Sequence, residues 1–105
     1  MRYKIIWSAF SEKQIDNIFD YYVKNASLAV GKKVIKSIVS ATNILAANPK
    51  TGTIETLLKN RKTEYRYLVT SNYKLIYSVD ETNRFVKISD VFDTRQNPIK
   101  IKREK

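Results

Sequence analysis

Glu64-Tyr-Arg-Tyr-Leu-Val-Thr-Ser-Asn-Tyr-Lys-Leu-Ile-Tyr-Ser-Val79 sets two runs of β-branched and aromatic residues around the turn formers Thr70, Ser71 and Asn72. That is the pattern of a β-hairpin. Side chains on a strand alternate between two faces. With a three-residue turn, Tyr65, Tyr67, Val69, Tyr73, Leu75, Tyr77 and Val79 share one face. Arg66, Leu68, Lys74 and Ile76 share the other. The reading is an aromatic side turned toward helices, backed by a face on which two cations stand among apolar residues.

Working outward, Asp80-Glu-Thr-Asn83 makes a second turn, and Arg84 to Phe92 a further strand rich in β formers. At the other end, Tyr3-Lys-Ile-Ile-Trp7 reads as an opening strand. Ser11-Glu-Lys-Gln14 has the spacing of a capping box, with Phe10 and Ile15 as its hydrophobic staple. Ile15, Ile18, Phe19 and Tyr22 then mark one face of a helix ending near Asn25. Ser27 caps a second helix with the stripe Val30, Val34, Ile38 and Leu45, flanked by Ile35 and Val39 and ended by Pro49. The short connection between them makes an antiparallel hairpin. Residues 48–63 read as a loop with a short turn around Glu55 to Leu58. The order β-α-α-β-β-β predicts an α+β fold: a mainly antiparallel four-stranded sheet with the N-terminal helical hairpin on one face. Residues 1–98 form the single domain and residues 99–105 a flexible basic C-terminal tail.

The chain has 105 residues, enough for one modest core. It holds no cysteine, so there is no disulfide or thiolate chemistry. Histidine is also absent, which removes the commonest general base near neutral pH and the commonest metal ligand. No metal or other cofactor is expected. Twenty Lys and Arg against ten Asp and Glu give a net charge of +10. Such a balance favours nucleic acid or an acidic protein as partner. No apolar run approaches the roughly 20 residues of a membrane span, and Met1 to Trp7 is too short and charged for a secretory signal. A cytoplasmic protein with no membrane partner is expected.

In the order of its elements the chain resembles the RelE/ParE superfamily of toxins from bacterial type II toxin–antitoxin systems, often described as plasmid-stabilisation systems. Tyr21-Tyr22, Asn48-Pro49-Lys-Thr-Gly52, Tyr65-Arg66-Tyr-Leu-Val, Asn72-Tyr73-Lys74-Leu-Ile-Tyr77 and Asp90-Val-Phe-Asp-Thr-Arg95-Gln-Asn-Pro98 carry the resemblance. It implies a growth-arresting toxin held inactive by a cognate acidic antitoxin. RelE-like members cut translated mRNA on the ribosome, whereas ParE-like members inhibit DNA gyrase without being enzymes. Ribosome-dependent mRNA cleavage is the leading expectation and gyrase inhibition the alternative. A passive nucleic-acid or ribosome binder, or an inactive toxin, remains a third reading.

By position, the resemblance places Arg66, Lys74 and Arg95 where RelE-like nucleases carry their catalytic basic cluster. Two arginines would grip a phosphate through paired donors and Lys74 would supply a point charge. Leu68 stands where some nucleases have a second lysine. Arginine is a poor proton donor, so proton transfer would fall to Lys74, a tyrosine or Asp93. Lys59, Arg61 and Lys62 in the loop, with Lys100, Lys102 and Arg103 in the tail, are candidates for holding a nucleic-acid backbone. Their plain alternative is a solvated charge run.

Overall fold

The computed structural model describes residues 2–103. Strand β1 (Lys4–Trp7) leads into helices α1 (Ala9–Asn25) and α2 (Leu28–Ala41) and a short α3 (Asn43–Ala47). Strands β2 (Thr53–Ile54), β3 (Arg66–Thr70), β4 (Tyr73–Asp80) and β5 (Phe85–Asp93) follow. Short 3-10 helices occupy Thr56–Leu58 and Pro98–Lys102. The sheet runs β1-β5-β4-β3-β2, with β1 parallel to β5 and the other pairs antiparallel. The α+β class and the N-terminal helical hairpin are as the sequence predicts. The sheet has five strands instead of four because Thr53 and Ile54, inside the expected loop, pair with Tyr67 and Arg66.

Two helix ends differ from the sequence reading. The cap of α1 is Ser8, whose hydroxyl accepts from the Ser11 amide at 3.0 Å. Ser11 lies one turn inside the helix, fully buried, and its own hydroxyl donates to the Ser8 and Ile88 carbonyls. The local pattern was ambiguous between two serines three residues apart, and the tertiary contact with β5 decided it. The second helix breaks at Thr42, whose hydroxyl donates back to the Val39 carbonyl at 2.7 Å, a competition known to bend helices. α3 then turns Leu45 into the core. The cap at Ser27 is as expected, accepting from the Val30 amide.

The hairpin that defines the fold uses a two-residue loop, Ser71-Asn72, closed by the Thr70–Tyr73 pair. Ser71 takes the left-handed backbone this demands, at φ 52°. Shortening the turn by one residue reverses the faces of β3 relative to β4. Arg66 and Leu68 therefore share the helix-facing side with Tyr77, Leu75 and Tyr73, and Tyr67 and Val69 share the other side with Ile76 and Lys74. The expected grouping of Arg66 with Lys74 is corrected: they stand on opposite faces of the sheet. A bulge at Ser89 shifts β5 in the same manner, since Tyr77 pairs with Ile88 but Ile76 with Asp90. Val86 and Ile88 before the bulge, and Val91 after it, all reach the helix side.

That side carries the main core, where Ile38, Leu45, Tyr73, Leu75, Tyr77, Val86, Ile88 and Val91 pack with α1, α2 and β1. The far side is not bare. Leu58 and Ile101, from the two 3-10 helices, cover Ile76 and Phe92 with Tyr65 and Tyr67 alongside. Ile101 is 1% exposed, and Arg103 pairs with Asp90, so the segment through residue 103 is anchored on the sheet at these two points, contrary to the reading of a flexible tail. Glu104 and Lys105 lie outside the described residues. Among the described residues, no helix is long and apolar enough to cross a membrane.

Candidate functional site

Each cation of the expected catalytic trio has a separate environment. Arg66 sits at the start of β3, where its guanidinium donates to the Gly52 carbonyl at 2.9 Å and reaches Glu64 at 3.3 Å. Beside it, the Tyr77 hydroxyl donates to the Pro49 carbonyl at 2.7 Å and accepts from the Gly52 amide at 2.9 Å. Together they clamp the Asn48–Gly52 loop. Only glycine fits at position 52, because a β-carbon there would lie 2.5 Å from the Tyr77 hydroxyl and 2.6 Å from the Tyr67 carbonyl. Burial pushes the Tyr77 phenol up, opposed by the Gly52 amide and the charge of Arg66.

Lys74, on the opposite face, is bound at 3.0 Å to Glu55, whose carboxylate is 3% exposed. Its ammonium also lies over the Tyr67 ring at 4.2 Å. Arg95 lies past the end of β5, where two guanidinium nitrogens meet both oxygens of Asp93 at 3.0 and 2.8 Å. Those bonds hold the Asp93 carboxyl below the ordinary carboxylate range and raise Arg95 further. Asp93 pairs across the ladder with Tyr73 and Arg66 with Tyr77. Four strand residues, about 13 Å, therefore separate the two arginines' anchor points along β4. The three cations do not converge on one phosphate.

The groups available for proton transfer are equally constrained. Desolvation first, and then the 3.4 Å bond to the Tyr22 hydroxyl, push the Tyr73 phenol well above its ordinary value. It stays protonated near neutral pH and is a poor base there. Asp93, tied to Arg95, is a weak base and is not protonated to act as an acid. Between α1 and this end of the sheet a cleft of about 370 Å³ is lined by Gln14, Asn17, Ile18, Tyr21 and Gln96, with Tyr73 and Arg95. Its polar lining combines three side-chain amides with Tyr21, Tyr73 and the Asp93–Arg95 pair, an arrangement suited to binding.

The six candidate backbone-binding residues fare differently. The two 3-10 helices bring them to one region: the Arg61 guanidinium donates to the Lys102 carbonyl, and Leu58 packs with Ile101. Lys59, Lys62, Lys100 and Lys102 are exposed there. Arg103 instead meets both oxygens of Asp90, at 3.1 and 2.8 Å, over the rings of Phe10 and Phe92.

The profile of the family described as the ParE toxin of type II toxin–antitoxin systems matches residues 5–98. The chain belongs to the ParE toxin family. No protein of curated function matches its sequence significantly. Among solved structures, the chromosomal ParDE toxin–antitoxin system of P. aeruginosa is similar at a TM-score of 0.72 and 16% identity, over 88% of this chain and 96% of that one. The toxin–antitoxin complex RelBE2 of Mycobacterium tuberculosis is similar at 0.62 and 15%, over 89% and 99%. At such identities the likeness concerns the fold.

In this ParE-family toxin, three polar arrangements escaped the sequence reading. The Tyr77–Gly52 clamp had a signal, since Gly52 is one of only two glycines in the chain and follows Pro49 closely. Glu55 is a lone carboxylate with Ile54, Leu57 and Leu58 around it, which marked a buried acid in need of a cation. Asp90 gave no such signal, because only the bulge at Ser89 turns it onto the covered face.

Proposed function

We propose that this toxin arrests growth without cleaving RNA, by ParE-like inhibition of DNA gyrase, and that a cognate acidic antitoxin neutralises it. One observation carries the reading: the cations at the nuclease positions are split between the two faces of the sheet, and each is held by its own acid. Gathering Arg66, Lys74 and Arg95 on a phosphate would require breaking three ion pairs and carrying a guanidinium past the sheet. Binding a protein target needs none of that, and membership of the ParE family agrees with it. The antitoxin follows from the same family and from the net charge of +10, which favours an acidic segment that folds on binding.

The decisive experiment is induction of the gene in a bacterium lacking the antitoxin, with pulse labelling of DNA, RNA and protein. Early loss of DNA synthesis with broken chromosomes, while translation continues, is the expected result. An immediate fall in protein synthesis with mRNA cut in translated regions would overturn the proposal in favour of the ribosome-dependent nuclease.

A further inference from the structure

We propose that the basic surface formed where the two 3-10 helices meet binds the phosphate backbone of duplex DNA. The choice of DNA rests on the gyrase reading, since the substrate of that target is duplex DNA. The surface itself is a product of tertiary structure. Its two halves lie 41 residues apart at the Arg61–Lys102 contact, and the buried pair Leu58 and Ile101 fixes them together. A 3-10 helix turns about 120° per residue. With Ile101 directed into the core, Lys100 and Lys102 are placed on the two outer flanks. Lys59 and Lys62 stand exposed at the neighbouring helix end and bend.

These four lysines have no acidic partner among the described residues. Two acids of the neighbouring layer are already engaged, Glu55 by Lys74 and Asp90 by Arg103. The result is an unneutralised positive patch on a rigid support. Among the described residues no fully exposed ring accompanies it: Phe92 is buried, and Tyr65 and Tyr67 are partly buried in the layer beneath. A single strand would find no stacking platform there. What the patch reads is backbone charge, which is densest on a duplex, at one negative charge per about 1.7 Å of axis. Lysine ammoniums, as mobile point charges, suit contacts that carry no sequence information.

Fluorescence anisotropy with a labelled DNA duplex, in the absence of gyrase, tests this surface. Four phosphate contacts give a slope of log K against log salt of about −3.6, or about a 150-fold loss of affinity between 50 and 200 mM salt. The variant Lys59→Gln/Lys62→Gln/Lys100→Gln/Lys102→Gln is expected to keep its melting temperature and lose both the affinity and the slope. The control Lys32→Gln/Lys33→Gln/Lys36→Gln, on the exposed side of α2, is expected to change the slope little. No duplex binding by the native chain, an unchanged slope in the quadruple variant, or tighter binding of single-stranded RNA would each overturn the proposal. Because gyrase is absent from this assay, its failure bears on the surface alone. The labelling experiment decides the gyrase reading separately.

Discussion

Tyr77→Phe removes one oxygen atom and tests whether the Asn48–Gly52 loop is held from inside the sheet. That hydroxyl donates to the Pro49 carbonyl at 2.7 Å and accepts from the Gly52 amide at 2.9 Å. The Pro49 carbonyl is partly solvated, so water replaces its lost donor at small cost. Gly52 is buried, and its N–H is left without a partner, which costs about 1–3 kcal/mol. The expected destabilisation is about 2 kcal/mol in total. For a chain of 105 residues, an unfolding entropy near 2.1 cal/mol/K per residue converts this to a fall in Tm of about 9 °C. Tyr73→Phe is the matched control on the same strand: among the described residues its hydroxyl makes only the 3.4 Å bond to Tyr22, and the expected cost is under about 1 kcal/mol. Thermal and urea unfolding followed by circular dichroism measure both. A Tyr77→Phe protein melting within about 2 °C of the native one would refute the clamp, as would equal losses in the two variants.

Three further outcomes are expected. Lys74→Met strands the Glu55 carboxylate and should cost about 2–3 kcal/mol in urea unfolding, with Glu55→Gln in the same chain restoring most of it; the double variant should still arrest growth, and a folded double variant that is harmless would return Lys74 to catalysis. Arg103→Met removes the two-point pairing with Asp90 and should cost about 3 kcal/mol, whereas a loss under about 1 kcal/mol would mean that the C-terminal segment is not part of the cooperative unit. Tyr73 and Tyr77 have phenol pKa values raised in the folded state. Their contribution is therefore complete below the unfolded value near 10 and is lost as pH rises through the folded values. In a spectrophotometric titration at alkaline pH, two of the seven tyrosines should ionise last, together with unfolding; smooth ionisation of all seven in a still-folded chain would contradict this.

The fold was legible in the sequence where the signal was periodic. The helix stripes, the Ser27 cap and the alternation within β3, β4 and β5 each depend on residues a few positions apart, and local geometry translates most of them into buried faces, although Val30 of the α2 stripe and its flank Val39 stay exposed. The short turn expected around Glu55 to Leu58 is likewise present as a 3-10 helix. Legibility ended wherever one residue of register changed the answer. A turn of two residues in place of three moved Arg66 to the helix side, and the bulge at Ser89 moved Asp90 to the other. Neither turn length nor bulge position leaves a distinct mark in composition, and because strand side chains have a period of two, each shift inverts everything beyond it.

The sequence by itself therefore determined that the chain is a basic α+β domain without cysteine or histidine, built like the RelE/ParE toxins. Composition and periodicity are properties of the chain alone. Tertiary structure decided which charges meet. It separated Arg66, Lys74 and Arg95 and gave each an acid, it buried Glu55 and Asp90 opposite cations, and it docked Ile101 beside Leu58 so that two distant lysine pairs form one surface. Electrostatic energy depends on distance and on exclusion of water, and neither exists until the sheet has chosen its register and its covering layers are in place.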